Sequence, residues 1–504
     1  MSDPGLRPPS PETALPDPTE ADNVVYDPSL ERLREFSKAF ETTTEFGSPA
    51  YVSEQRSRCA DRTKNAIDDE FDAADHAHIE TALDYARNHE MVCIDRRIGR
   101  HSEHTYVGRY YVPKKYARIA LTLRKLFEPA ESDAQPDFLT VQVPEHEEIA
   151  IRVLPDKGMT AVLGSDYSGE AKKSFLRLFM RRAKERGGLG LHAGSKRLTL
   201  ESDAGDLETV GQLFLGLSAT GKSTLTAHGL WLDDPESATM LQDDVCALLP
   251  DGTVAGSEGN GLYIKTIGLD SAEQPAMYDA ATHESAVLEN VAVDDEGTVD
   301  FESDEHTTNG RAAILREHLS SAGEDIDLET VDQVFFITRN PVMPPVAKLT
   351  PEEAAAAFML GESIQTSAGD PSKAGESIRV VGTNPFIIGP EGVEGNRFRD
   401  LIADLDVDCF VLNTGHLGDR SKDICVEDTV TLLREIARDT VEWTDDEAIG
   451  FTIPRYVPGM DIEAFAVPDH VDDHERKLQE LRAERRAYLA DFDELDEEIE
   501  AAVY

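Results

Sequence analysis

The stretch Gly216-Leu217-Ser218-Ala219-Thr220-Gly221-Lys222-Ser223 leaves the surrounding chain little choice of fold. It fits G-x-x-x-x-G-K-[ST], a loop that works only between a buried strand and the first turn of a helix. The flanks agree: 212–215 reads as a strand, and 224–230 starts a helical pattern. In that setting the loop's N–H groups and the helix N-terminus cradle phosphate oxygens. Lys222 reaches the β- and γ-phosphates, and the Ser223 hydroxyl holds Mg²⁺. Gly216 to Thr224 is therefore the nucleotide-binding segment. A glycine-rich turn matching by chance would lack these flanks.

Asp243 and Asp244 end a short strand over 239–241, one helix after the loop. Adjacent carboxylates at a strand end point to opposite faces. One can bind a metal directly while the other acts through water. A solvated acid pair is the alternative, because acids are abundant here.

That abundance is itself informative. Asp and Glu number 98 against 49 Lys and Arg, a formal charge of -49. Such self-repulsion destabilises a compact state at ordinary ionic strength. In about 1 M salt the Debye length falls to about 3 Å and the repulsion is screened. The acid is spread along the chain, which points to a halophilic surface and a high-salt cytoplasm. No basic stripe exists to neutralise phosphates, so nucleic-acid binding is disfavoured. The five cysteines are scattered and form no CxxC pair, against a disulfide framework or zinc site. Neither a signal peptide nor an apolar run long enough to span a bilayer is present. With 504 residues, 40% of them hydrophobic, the chain can bury a large core in two domains.

Residues 1–24, rich in Pro, Asp and Glu, read as a disordered tail. Helical spacing follows over 30–40, 75–88 and 171–186, with strand patterns over 105–112, 139–143 and 149–153. Gly187-Gly188 stops the third helix and marks a domain boundary, giving domains over 25–187 and 188–470. Pro250-Asp251-Gly252 is a turn between strands over 245–249 and 253–255. Residues 471–504 form a charged helix in which Arg485 breaks the apolar spacing. It is either an oligomerisation helix or one docked on its own domain.

Several co-linear motifs resemble the ATP-type phosphoenolpyruvate carboxykinases. Tyr167-Ser168-Gly169-Glu170-Ala171-Lys172-Lys173-Ser174 is similar to the family's YAGE-x-KK-G. Leu191-His192-Ala193 is similar to the start of MHCSAN, and Gln242-Asp243-Asp244 to GDD. Tyr263-Ile264-Lys265-Thr266-Ile267 matches YAKTI, Leu288–Val291 matches LENV, and Asn309-Gly310-Arg311 resembles N-T-R. Gly99-Arg100 resembles the start of GRSPKDKYIV. Leu412–Gly415 and the stretch 451–460 look like the family's C-terminal motifs.

The resemblance implies a mixed α/β, two-domain carboxykinase fold with a phosphate-loop nucleotide domain. It implies a catalytic Mn²⁺ held by Lys173, His192 and Asp244, with Mg²⁺ on ATP and Ser223. A lysine ligand must be neutral, which burial and an adjacent dication favour. Lys172 is then the neighbouring base; a one-residue shift of register would exchange the two. Arg100 would fork onto the oxaloacetate carboxylate, with Tyr167 beside the substrate. Lys222, Lys265 and Arg311 would neutralise the phosphoryl group in transit, with Asp243 beside the metal. The implied reaction converts oxaloacetate and ATP into phosphoenolpyruvate, ADP and CO₂, in a monomer or small homo-oligomer.

Departures stand beside these matches. Gly194-Ser195-Lys196 differs from MHCSAN, and His101-Ser102-Glu103 replaces the Lys-containing segment after Gly-Arg. Glu258–Gly261 carries one residue more than EGG. Asp423 falls where the family has the arginine that packs on adenine, whereas Thr429 matches. Two alternatives stay open: a kinase of the same fold with another acceptor, such as a protein serine in the manner of the HPr kinases, or an ATP-binding regulatory protein.

Overall fold

The computed structural model describes residues 10–202, 204–217, 220–364, 377–419, 421–446 and 450–504. The chain forms two compact units, Met1–Arg182 with Ser257–Ser320, and Ala183–Gly256 with Ser321–Tyr504.

The first unit is built on two sheets. The larger runs Val24–Tyr26, Met91–Ile98, Tyr106–Pro113, Phe138–Val143, Met159–Leu163, Ala150–Leu154, Thr63–Asn65, with Glu128–Pro129 pairing Met91–Ile98. Its central strands are buried along almost their whole length, as strands covered on both faces must be. Helix Ala73–Asn88 seats Ile79, Ala82 and Leu83 among Leu139, Val141 and Met159. Asp72 and Asp75 form a reciprocal capping box at its start. The smaller sheet runs Gly261–Lys265, Arg311–Leu315, Val287–Glu289, Pro49–Tyr51, Thr42–Thr43.

In the second unit an eight-stranded sheet runs Ser237–Gln242, Ala193–Glu201, Leu207–Gly216, Gln333–Thr338, Asp408–Asn413, Val346–Leu349, Phe451–Tyr456, Glu442–Asp446. The third, fourth and fifth of these are mutually parallel. Phe214, Phe335 and Phe410 stack across them, with centroids 5.5 and 5.1 Å apart. The phosphate loop leaves the C-terminal end of Leu207–Gly216, where parallel sheets place their ligands.

Several expectations change. Residues 257–320, assigned from the sequence to the second domain, belong to the first unit: Val287–Glu289 pairs with Pro49–Tyr51, and Arg311–Leu315 and Gly261–Lys265 extend the same sheet. Residues 1–9 lie outside the described residues, but the rest of the expected tail is held at several points. Ala14 is buried against helix Ala73–Asn88 and its carbonyl accepts from Arg87, while Val24–Tyr26 joins the sheet. A few apolar side chains suffice to dock an otherwise acidic segment. The C-terminal region is two helices, His474–Leu489 and Glu497–Ala501, whose Leu478, Leu489, Leu495 and Ile499 complete the core of their own unit. Arg485 breaks the apolar spacing because it is buried, donating to Glu362 and to the Tyr504 carbonyl.

Candidate active site

The phosphate loop owes its shape to two glycines with different duties. Gly221 has φ +99, which favours glycine over every other residue. At Gly216 a Cβ would stand 2.6 Å from Thr220 Oγ1, so a side chain would close the loop's root. Thr220 Oγ1 donates to the Leu217 carbonyl, and Thr414 Oγ1 donates to the Thr220 carbonyl. Helix Lys222–Ala227 starts at the loop's end; it stops earlier than the pattern over 224–230 suggests, because the backbone turns extended at His228. Ser218 and Ala219 lie outside the described residues. Ser223 Oγ donates to Asp243 Oδ2 at 3.0 Å, joining the loop to the acid pair. Thr224 lies in the helix's first turn, and Thr429 is buried on helix Val426–Ala437. Asp423 is exposed on the two-residue strand Lys422–Asp423.

His192 follows strand Leu189–Leu191, and Asp244 follows Ser237–Gln242. The fold brings His192 Nε2 within 3.0 Å of Asp244 Oδ1. His192 Nδ1 lies 2.7 Å from the Thr383 carbonyl, a partner that places the ring hydrogen on Nδ1. Nε2 then faces a carboxylate oxygen, an arrangement that suits an ion pair with a protonated ring or a cation shared by the two. The Thr383 carbonyl is held in a tight turn in which Gly382 and Thr383 both have positive φ. Among the described residues no cluster of three or more His, Cys, Asp or Glu side chains could hold a metal. A metal on His192 and Asp244 therefore needs a ligand of another type.

Within the first unit, Lys265 ends strand Gly261–Lys265 and Arg311 begins Arg311–Leu315, directly opposite in register. Burial and the Arg311 charge push Lys265 down to about 8. Arg311 donates to Asn309 Oδ1 at 2.8 Å and lies 5.7 Å from the Tyr263 ring centroid. Asn309 Nδ2 donates to Tyr167 Oη and to the Arg56 carbonyl, and Arg56 Nη1 donates to Asn290 Oδ1 at 2.8 Å. Tyr167 is buried, which raises its pKa. One cluster thus holds Arg56, Tyr167, Lys265, Asn309 and Arg311. Arg56 was missed in the sequence because Gln55-Arg56-Ser57-Arg58 matches no quoted motif; its signal was a pair of basic residues in an acid-rich chain.

Glu289 fixes the floor beneath that cluster. It accepts from Arg118, from Ser168 N and Oγ, and from Tyr263 Oη. Burial raises its pKa while Arg118 opposes the shift. Through Ser168 it anchors the start of helix Ser168–Glu185, which carries both lysines of the motif. Lys172 is buried and ion-paired with Glu258 at 3.0 Å; Lys173 is half-buried on the same helix. Arg100 behaves otherwise than expected. Its guanidinium forks onto Glu128 at 3.2 and 2.9 Å and donates to the Gly259 carbonyl. Arg97 shares the same carboxylate. An internal acid thus fills the geometry intended for a substrate carboxylate.

A strand, a glycine-framed loop and an acid pair hydrogen-bonded to the loop serine come together, with an imidazole against the second acid. A family model described as phosphoenolpyruvate carboxykinase matches residues 52–463. The chain belongs to that family. A phosphoenolpyruvate carboxykinase (ATP) of Aeropyrum pernix is 36% identical over 475 residues, covering 93% of this chain and 94% of the relative. Proteins of the same name from Chelativorans sp. and Bradyrhizobium diazoefficiens are 31% and 30% identical, covering 68% of this chain and 62% of each relative.

Proposed function

We propose that the chain converts oxaloacetate and ATP into phosphoenolpyruvate, ADP and CO₂, with Mn²⁺ as the catalytic metal and Mg²⁺ accompanying ATP. The observation that carries this reading is the Lys265–Arg311 pair at matched strand ends, set beside Tyr167 and Arg56. Two like charges held opposite each other repel, and a bound anion relieves that repulsion. Phosphoryl transfer needs such preorganised positive charge.

In the proposed reaction the C–C bond to the leaving carboxylate breaks and its electron pair becomes an enolate. The enolate oxygen attacks the γ-phosphorus, and the bond to the ADP oxygen breaks. Lys222 and the loop N–H groups bind the phosphate chain; Lys265 and Arg311 spread charge on the moving phosphoryl group. Geometry favours Arg56 over Arg100 as the carboxylate-binding guanidinium, because Arg56 is bonded to Asn290 and, through Asn309, tied to Arg311 and Tyr167. His192, Asp244 and Lys173 would hold the metal, with Asp243 and Ser223 serving the nucleotide's ion. A bound divalent ion supplies Lewis-acid stabilisation of developing oxyanion charge.

The acid excess supports a high-salt cytoplasm as the working environment. No helix among the described residues is long and apolar enough to cross a membrane. The test is oxaloacetate-dependent formation of phosphoenolpyruvate and ADP with Mn²⁺ at about 1 M KCl, where charge is screened. Protein that binds ATP yet forms no phosphoenolpyruvate would overturn the reading in favour of another acceptor.

A further inference from the structure

The triplet Gly194-Ser195-Lys196, where the chain leaves the motif that begins Leu191-His192-Ala193, lies directly beneath the phosphate-loop helix. Strand Ala193–Glu201 runs antiparallel to Leu207–Gly216, the strand that feeds the loop. A Cβ on Gly194 would stand 2.2 Å from Thr226 Oγ1, so only glycine lets helix Lys222–Ala227 settle this close to the strand. Two residues on, Lys196 is fully buried, and its Nζ donates to the carbonyls of Leu225 at 2.5 Å and His228 at 2.7 Å. Its ammonium also lies 5.6 Å from the Phe214 ring centroid.

These contacts answer a specific need. A six-residue helix is too short to hold itself together, and its last carbonyls have no partners within it. A buried ammonium at that end satisfies two nearby carbonyls and suits the helix dipole. Burial pushes the Lys196 amine down to about 7, and its two carbonyl acceptors offset part of that desolvation. Thr226 completes the link: its Oγ1 donates to the Lys222 carbonyl at 2.8 Å, so movement at Gly194 passes directly to the loop lysine.

We propose that Gly194 and Lys196 are positioning residues for the phosphate loop, fixing the depth and tilt of the helix that presents Lys222 and Ser223 to the nucleotide. The proposal rests on the loop's being the ATP site. Calorimetric titration with ATP in Mg²⁺, on the full chain, tests both. Lys196→Met should weaken ATP binding roughly tenfold, which is about 1.4 kcal/mol, along with some loss of thermal stability, because the Leu225 and His228 carbonyls lose their donor. A residue with only a structural role would lower thermal stability and leave the ATP affinity of the folded protein unchanged. Gly194→Ala should weaken ATP binding similarly, and adding Thr226→Ala should restore it, since the clash partner is removed. ATP affinity within twofold of the parent in both Lys196→Met and Gly194→Ala overturns the proposal. Lys222→Met serves as the reference: unchanged ATP binding there would instead sink the loop reading itself.

Discussion

Two arginine-bearing regions of the first unit treat positive charge in opposite ways. Around Glu128, Arg97 and Arg100 converge on one carboxylate, which offsets part of their charge. Burial would raise Glu128, but hydrogen bonds from Arg100 and Arg97 hold it below the usual carboxylate value. Around Asn309, the acceptors for Arg311 and Arg56 include amide oxygens, and Lys265 faces Arg311 across the strands. The first region turns its guanidiniums onto a carboxylate of the chain itself, while the second includes amide partners. Under the proposed function it is the second that meets the phosphoryl group.

The sharpest break of that contrast is Arg311→Met. Removing a guanidinium aimed at a moving phosphoryl group should lower kcat/KM by about 10³-fold or more. Steady-state kinetics with oxaloacetate and ATP checks this, with circular dichroism as the folding control. A loss below tenfold would mean that the Arg311 charge serves something other than chemistry.

Next in size is the exchange of roles between Arg56 and Arg100. Arg56→Gln should cost about 10²-fold in kcat/KM, mostly through the oxaloacetate KM, as expected for a lost bidentate contact. Arg100→Gln should cost less than about tenfold, since Glu128 already occupies that fork. The opposite ranking would restore Arg100 as the clamp and reverse the contrast.

The sequence made the phosphate loop, its strand and the paired acids legible because each depends on local spacing and turn chemistry. The Asp243–Ser223 bond and the His192–Asp244 approach were foreseeable only as co-linear motifs. What local reading misses is long-range pairing. Nothing near residue 257 announces that Gly261–Lys265 joins a sheet containing Pro49–Tyr51, so the domain boundaries were drawn wrongly. The Arg100 pairing was hidden for the same reason: its partner Glu128 lies on a strand that reaches it only in the folded unit. Arg485 looked like an interruption of a helical stripe until its partner Glu362, far away in sequence, came into view. Charge complementarity between distant elements has no local period to read.

The pH profile sharpens the same comparison. Burial and Arg311 hold Lys265 at about 8, below an ordinary lysine. Its amine is charged below that pH and becomes neutral as pH rises through it. In the free enzyme kcat/KM should therefore fall along an alkaline limb near pH 8. Lys265→Arg should carry the limb upward, because a guanidinium stays protonated. A limb unmoved in that variant would assign the titration to another group.

The smallest expected effect lies around Glu128. Glu128→Gln leaves Arg97 and Arg100 without their shared countercharge, but both side chains are partly open to solvent, at 39% and 31%. Screening therefore limits the loss to about 1 kcal/mol of folding stability. Because Glu128 titrates below its unfolded value, its contribution is present above the unfolded pKa, about 4.3, and is lost as pH falls through the folded one. Denaturant melts of parent and variant should accordingly differ near neutral pH and converge in acid. They should also converge as KCl rises from about 0.1 M to about 1 M, where the Debye length shrinks from about 10 Å to about 3 Å. Under the same salt change Arg311→Met should keep its deficit in kcat/KM, because that charge acts in contact with the transferred group. A salt-insensitive Glu128→Gln deficit paired with a salt-sensitive Arg311→Met deficit would invert the contrast: the carboxylate-paired arginines would then be the desolvated ones.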